Sequence, residues 1–104
     1  MIRYFDAHAA ATTPDESSPL TALAELDAVG ALSTGVWTHD VGVTDGGDFG
    51  AEVFVVLSGR GTVTDQHGGR IDLAPGVIGV LDAGDLTHWE ITEPLRKVWI
   101  VASS

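Results

Sequence analysis

The chain has 104 residues, a length that suits one small domain with a single core. It contains no cysteine, which excludes disulfides, thiolate metal sites and cysteine nucleophiles. Fifteen acidic residues face five basic ones, and the resulting net charge of −10 would repel nucleic acids and anionic membranes. The N-terminus lacks the apolar core of a signal peptide, and no apolar run is long enough to span a bilayer. We therefore expect a cytoplasmic protein.

The first third of the chain shows no clear strand pattern. Residues 6–34 are rich in Ala, Thr, Ser and Pro. Ser18 and Pro19 are suited to cap a short helix that has Leu20 and Leu23 on one face and ends at Gly30. An ordered strap over the main domain is an equally good interpretation of the same segment.

From Gly35 onward the pattern is that of short β-strands. Strands are predicted at residues 36–44, 52–57, 62–64, 70–73, 77–81, 87–92 and 97–102. Turns rich in Gly, Pro and Asp separate them, at residues 45–48, 58–59, 65–69, 75–76 and 82–85. Evenly spaced short strands of this kind favour an antiparallel sandwich or barrel.

Three segments resemble the cupin family. Glu52 followed seven residues later by Gly59 resembles the end of the first cupin motif. Pro75 to Gly84 resembles the start of the second motif, with Asp82 at a place where proline is usual. Residues 89–98, with the sequence WEITEPLRKV, resemble a subfamily of small cupins. That subfamily includes the ethanolamine-utilisation cupin and domains related to ureidoglycine aminohydrolase.

The resemblance implies an all-β fold, namely a cupin-type antiparallel β-barrel (double-stranded jelly roll). The barrel is expected at residues 33–104, and residues 1–32 are expected to form a short N-terminal extension that packs on it. Metal-binding cupins carry two histidines before the glutamate of the first motif, a histidine in the second motif and a later ligand. Here those places hold Asp45 and Gly47 (or Gly46 and Asp48), Thr87 and Ile91. Because only Glu52 remains, we expect no metal cofactor.

An irregular metal site is the alternative to that expectation. Such a site would join Glu52 to His39 and to either Asp45 or Asp48. The other histidines are poorly placed for it, because His67 falls in a turn and His88 is expected to face away from Thr87.

Glu52 is the candidate catalytic residue. Alternation along a strand places Glu52, Phe54 and Val56 on one face, which the resemblance directs into the barrel. A carboxylate at that position can anchor a polar ligand or act as a general acid or base. It can equally be a structural partner of a neighbouring Arg, Lys or backbone amide.

The candidate ligand-binding residues are mostly aromatic: Trp37, His39, Phe49, Phe54, Thr87 and Trp89. Phe49 precedes Glu52 on a loop, where it is suited to act as a lid. The same aromatic side chains can instead simply fill the core of a small barrel. Arg96 and Lys97 are interpreted as forming surface ion pairs with Glu90 or Glu93, although a clamp for a ligand carboxylate is an alternative.

We therefore predict a protein that binds a small molecule in a cupin barrel. Its activity could be metal-independent acid–base catalysis of the isomerase, dehydratase or cyclase type, with Glu52 as the acting residue. A metal-dependent enzyme with the irregular ligand set and a non-catalytic ligand-sensing module are the alternatives. A homodimer is also expected, because Val53, Val55 and Leu57 form an outward apolar face. Residues 19–30 of the same chain could cover that face instead.

Overall fold

The computed structural model describes residues 1–16, 18–47 and 50–102. Within these residues every regular element is a β-strand, and all strand pairs are antiparallel. The strands are β1 (Thr13–Pro14), β2 (Thr21–Val29), β3 (Leu32–His39), β4 (Gly42–Gly47), β5 (Glu52–Asp65), β6 (Arg70–Leu73), β7 (Ile78–Leu81) and β8 (Leu86–Ala102). The prediction of an all-β fold is confirmed. The described part of the chain has no helix that could cross a membrane.

Two long strands, β5 and β8, organise the sheet. They pair with each other along most of their length. The other edge of β8 pairs with β4 and then with β3, and the other edge of β5 pairs with β7 and then with β6. The pairing of β5 with β8 shifts register around Ser58 and Arg60, and such bulges bend a strand. Gly59 lies at this bend with a φ of 94°, and a Cβ there would fall 2.2 Å from the carbonyl oxygen of Pro94.

The bent sheet encloses one hydrophobic core. Its buried members come mainly from the two long strands: Phe54, Val56, Val63, Leu73, Trp89, Ile91 and Leu95. Along β5, Phe54 and Val56 are buried whereas Val53 is 40% exposed, as strand alternation requires. Glu52 shares the inward face with Phe54 and Val56, so its predicted orientation is confirmed.

The predicted helix near residues 19–30 is wrong. This segment forms β2, which pairs with β3 from Thr21↔His39 to Val29↔Leu32. Gly30, with a φ of 57°, opens a two-residue hairpin turn rather than ending a helix. The partner strand supplies hydrogen bonds that local sequence preferences could not reveal. The division of the chain at residues 32 and 33 stays a prediction.

Several predicted turns are also wrong. Residues 45–47 belong to β4 and pair with β8, whereas Asp48 lies outside the described residues. The predicted strand at residues 36–44 is interrupted at Asp40, where β3 has ended. Residues 58–59 are not a turn, and the strands predicted at 87–92 and 97–102 are one strand, because β5 and β8 run on as bulged, continuous strands. Glycine and proline mark irregular pairing at these places, not chain reversal.

Candidate functional site

A cavity of about 850 Å³ lies against the inward face of the two long strands. Its wall includes Trp37 from β3, Glu52 from β5, and Thr87, Trp89 and Lys97 from β8. Most of the sequence-predicted site residues therefore meet in one place. This volume is within the range of small-molecule sites in proteins.

The central polar feature of the wall is an ion pair between Glu52 and Lys97. The Lys97 Nζ lies 2.7 Å from the Glu52 Oε2 and donates a hydrogen bond to it. The two side chains are only 5% and 14% exposed, respectively. In the strand register Lys97 is opposite Val56, so its side chain runs along the inside of the sheet to reach Glu52 at the start of β5.

Three aromatic rings surround the ammonium group of Lys97. The Nζ lies 4.7 Å from the ring centroid of Trp37, 4.6 Å from that of Phe54 and 4.5 Å from that of Trp89. We call these three residues the aromatic cage. A cation held against aromatic faces is stabilised by their electron density, and more strongly where water is excluded.

The members of the cage also fix one another. The rings of Trp37 and Trp89 are 5.0 Å apart, and those of Phe54 and Trp89 are 5.7 Å apart. Gly79 lies behind Phe54, where a Cβ would fall 2.1 Å from the ring. The lack of a side chain at Gly79 thus allows Phe54 to pack in this position.

Burial lowers the pKa of Lys97, and the charge and hydrogen bond of Glu52 oppose that effect. The direction means that this amine loses its proton more readily than an exposed lysine. With a carboxylate in direct contact, a proton can pass between the two groups inside the cavity wall. The pair can therefore supply either a base or an acid to a bound molecule.

Thr87 and Trp89 form a second contact within the wall. Both are buried, and the indole Nε1 of Trp89 donates a hydrogen bond of 2.9 Å to the Thr87 Oγ1. Thr87 stands where the resemblance would place a histidine ligand. In this chain it positions the indole that lies over Lys97.

His39 supports the cavity from behind. It is buried, its Nδ1 donates to the carbonyl oxygen of Asp40, and its Nε2 lies 2.8 Å from the Thr44 Oγ1. Its ring meets Trp37 edge-on, with the centroids 5.3 Å apart. His39 thus holds a cage residue in place. The predicted lid residue, Phe49, lies outside the described residues.

The prediction for Arg96 and Lys97 is wrong. Neither side chain forms the expected surface ion pair, because Lys97 is buried against Glu52 and Arg96 donates to the carbonyl oxygens of Ala7 and Ala10. The sequence does contain a pattern that predicts the inward position of Lys97, provided that the strand is continuous. Lys97 lies an even number of residues from Thr87 and Trp89, so alternation along one continuous strand places all three on the inward face.

The donor set around Glu52 does not suit a divalent metal. The ammonium of Lys97 occupies one carboxylate oxygen and would repel a second cation at this distance. Within residues 1–16, 18–47 and 50–102, no three His, Asp or Glu side chains lie close enough together to hold a metal ion. Asp45, a member of the irregular set, instead accepts a hydrogen bond from His88, and Asp48 lies outside the described residues.

His88 lies on the opposite face of β8. Its Nδ1 is 2.6 Å from the Asp45 Oδ1, and its Nε2 is 3.3 Å from the Glu90 Oε1. Hydrogen bonds to Asp45 and then Glu90 raise the pKa of His88. This exposed group links β4 to β8 and lies apart from the ion pair.

The sequence matches the EutQ-like cupin domain family over residues 26–99. No curated protein matches it significantly. Its fold is that of solved cupins, so the predicted resemblance and the all-β cupin fold are both confirmed.

Three solved structures illustrate the likeness. A Rhizobium leguminosarum protein of unknown function has a TM-score of 0.82 and 17% identity, with 100% of this chain and 99% of that protein covered. A Schizosaccharomyces pombe cupin domain has a TM-score of 0.79 and 13% identity, with coverages of 97% and 74%. The EutQ protein of Clostridium difficile has a TM-score of 0.70 and 13% identity over 79% of this chain, which spans 61% of the EutQ chain. At such identities the three structures show the fold alone.

Proposed function

We propose that this chain, which belongs to the EutQ-like cupin domain family, binds a small organic molecule in the cavity of its cupin fold. The wall offers flat apolar surfaces from Trp37, Trp89 and Trp99, a buried ion pair and several further acidic side chains. The preferred molecule therefore has an apolar body and a polar group that meets Glu52 or Lys97.

The observation that carries this proposal is the position of the Glu52–Lys97 pair in the cavity wall. Replacing a buried ion pair with apolar side chains of similar volume is often neutral or stabilising, so stability alone is a weak reason to keep one. Ionisable groups that share a cleft and alter each other's protonation are typical of functional sites. The purely structural alternative is that Glu52 serves only to neutralise Lys97.

The chemistry we propose is transfer of a proton on the bound molecule without a metal. Isomerisation, dehydration and cyclisation each need a proton removed at one atom and returned at another. The Glu52 carboxylate can accept that proton, and the nearby ammonium of Lys97 can stabilise negative charge that develops on the molecule. Lys97 is buried, and electrostatic interactions are stronger in a poorly hydrated site.

A ligand screen tests the proposal. Small molecules would first be selected for raising the melting temperature of the protein, which is measured by circular dichroism. Each selected molecule would then be incubated with the protein in D₂O and analysed for uptake of deuterium at its carbon atoms. We expect uptake with wild type and its loss in Glu52→Gln, with ligand binding retained. The matched control is Glu93→Gln, because Glu93 forms an exposed ion pair with Arg60.

The same screen separates the alternatives. Binding without turnover or exchange would favour the ligand-sensing module. A complete lack of binding across apolar and polar compounds would contradict the proposed function. If Glu52→Gln does not fold, Glu52→Asp provides a second variant. Aspartate keeps the negative charge, but its side chain is one methylene shorter, so the carboxylate lies farther from the bound ligand.

We also propose a homodimer located in the cytoplasm. The outward face of β5, β7 and β8 is apolar, and no part of residues 1–16, 18–47 and 50–102 covers it fully: Val53 is 40%, Ile78 65%, Val80 66% and Ile100 39% exposed. Residues 19–30 do not cover Val53, so a second copy is the preferred partner for this face. The absence of cysteine fits a reducing compartment.

A further inference from the structure

Lys97 is the only lysine of the chain. The other four basic residues, Arg3, Arg60, Arg70 and Arg96, are arginines. Arginine is usually preferred in buried ion pairs, because its charge is permanent and its donors match a carboxylate. Lysine differs in that it can lose its proton and become a nucleophile. The position that receives the single lysine is the one buried in the cavity wall.

The surroundings of Lys97 are those of an amine prepared to react. Its Nζ contacts the Glu52 Oε2 at 2.7 Å, so a proton acceptor is in place. The aromatic cage lies against the amine, Lys97 is buried, and Lys97 and Glu52 both line the cavity. Burial lowers the pKa of Lys97, although the charge and hydrogen bond of Glu52 oppose that effect.

We propose that Lys97 captures a small apolar aldehyde or ketone as an imine. The proposal rests on the proposed function, whose ligand class it specifies. Glu52 first takes a proton from the ammonium, and the free amine adds to the carbonyl carbon to form a carbinolamine. Glu52 then returns the proton to the carbinolamine hydroxyl, which leaves as water. The ammonium and the carbonyl compound thus become a protonated imine and one water.

This reaction leaves the buried charges unchanged. The protonated imine carries one positive charge, as the ammonium did, and Glu52 ends as a carboxylate. The favourable contacts with Glu52 and with the aromatic cage are therefore kept in the product. An acylated lysine, by contrast, would be neutral and would leave Glu52 unpaired in the wall.

Reductive trapping provides the test. The full chain would be incubated at pH 7 with butanal, butanone or benzaldehyde and sodium cyanoborohydride, and the modified peptide identified by mass spectrometry. Trapping adds the mass of the carbonyl compound less one oxygen atom. Only Lys97 and the N-terminal amine can react, so the assignment does not depend on any variant.

The labelling rate of Lys97 is compared with that of a second, exposed lysine in the same protein. Arg60 is 60% exposed, so Arg60→Lys introduces an ordinary amine into the same protein. We expect Lys97 to be labelled faster than that amine, since a lowered pKa gives a larger neutral fraction of the amine at pH 7. In urea the difference should vanish. Lys97→Arg should abolish labelling at this position.

Butanol and benzyl alcohol separate this proposal from the broader one, because they are similar in size to the carbonyl compounds and cannot form an imine. Alcohols that raise the melting temperature and slow the labelling of Lys97 would support both the proposed binding function and the formation of an imine at Lys97. Stabilisation by alcohols and carbonyl compounds with labelling confined to the N-terminus would overturn the imine and leave the proposed function standing. If no compound stabilises the protein and Lys97 is not labelled, both are wrong.

Discussion

Replacing Glu52 by glutamine should leave a positive charge without its partner inside the protein. Lys97 Nζ is 2.7 Å from the Glu52 Oε2, and its side chain is 5% exposed. Removing one member of a buried ion pair typically destabilises a protein by about 3–5 kcal/mol. Glutamine still offers an amide oxygen and the aromatic cage remains, so we expect a loss of about 3 kcal/mol at pH 7.

The lysine can limit this loss by giving up its proton. The ordinary pKa of lysine is 10.5. Deprotonating such a group at pH 7 costs about 4.8 kcal/mol, and at pH 9 it costs about 2 kcal/mol, at 1.36 kcal/mol for each pH unit. A base whose pKa is lower in the folded protein binds fewer protons there than in the unfolded chain, so stability rises with pH between the two pKa values. The loss in Glu52→Gln should therefore shrink to no more than about 2 kcal/mol at pH 9.

Equilibrium unfolding in urea at pH 7, 8 and 9, followed by circular dichroism, measures the effect. Glu93→Gln is the matched control and should change stability little, because its ion pair is exposed. Combining Glu52→Gln with Lys97→Met should restore most of the lost stability, since no unpaired charge remains. A loss no greater than that of Glu93→Gln, or a loss that does not decrease with pH, would refute the reasoning.

Three further predictions concern metal, assembly and pH. Protein purified without added metal should carry well under one equivalent of Fe, Mn, Ni or Zn by elemental analysis; near-stoichiometric metal that survives dialysis against a weak chelator would contradict this. Light scattering during size exclusion should give a dimer mass, and Val80→Asp should give a monomer; a monomeric wild type across a hundredfold dilution would disprove the dimer. Asp45→Asn should lower the pKa of His88 in an NMR titration, because the hydrogen bond to Asp45 is the main cause that raises it. The stability from His88 should be present at low pH and be lost as pH rises through its raised pKa; an unchanged titration in Asp45→Asn would rule this out.

The sequence was sufficient to predict those features that depend on alternation and turn chemistry. Glu52 and Phe54 were placed on the inward face by counting along one strand, and the structure agrees. The same rule does not predict the inward position of Lys97, because residues 93–96 lie between the strands predicted at 87–92 and 97–102. Alternation cannot be counted across such a gap. A proline before a charged pair resembles a turn, yet the backbone of β8 stays paired through this segment.

The β2–β3 hairpin could not be predicted for a different reason. Leu20 and Leu23 have a spacing that suits one face of a helix, and the alternation within the segment is weak. The strand forms because β3 offers a full row of backbone partners, which is a property of the rest of the chain. Likewise, the partner of Glu52 is 45 residues away in sequence, and its contact with Glu52 depends on how β5 and β8 are paired.

The aromatic cage gives the protein its own optical reporter. Two of the three tryptophans, Trp37 and Trp89, hold their rings 4.7 and 4.5 Å from the Lys97 nitrogen. Indole emission shifts and is quenched according to the charge beside the ring, because the excited state has a larger dipole than the ground state. Loss of the ammonium proton, or arrival of a molecule beside it, should therefore alter the intrinsic fluorescence. In a Trp99→Phe background the whole tryptophan emission would arise from the two indoles that face the lysine, so events at this nitrogen could be followed in real time without any label.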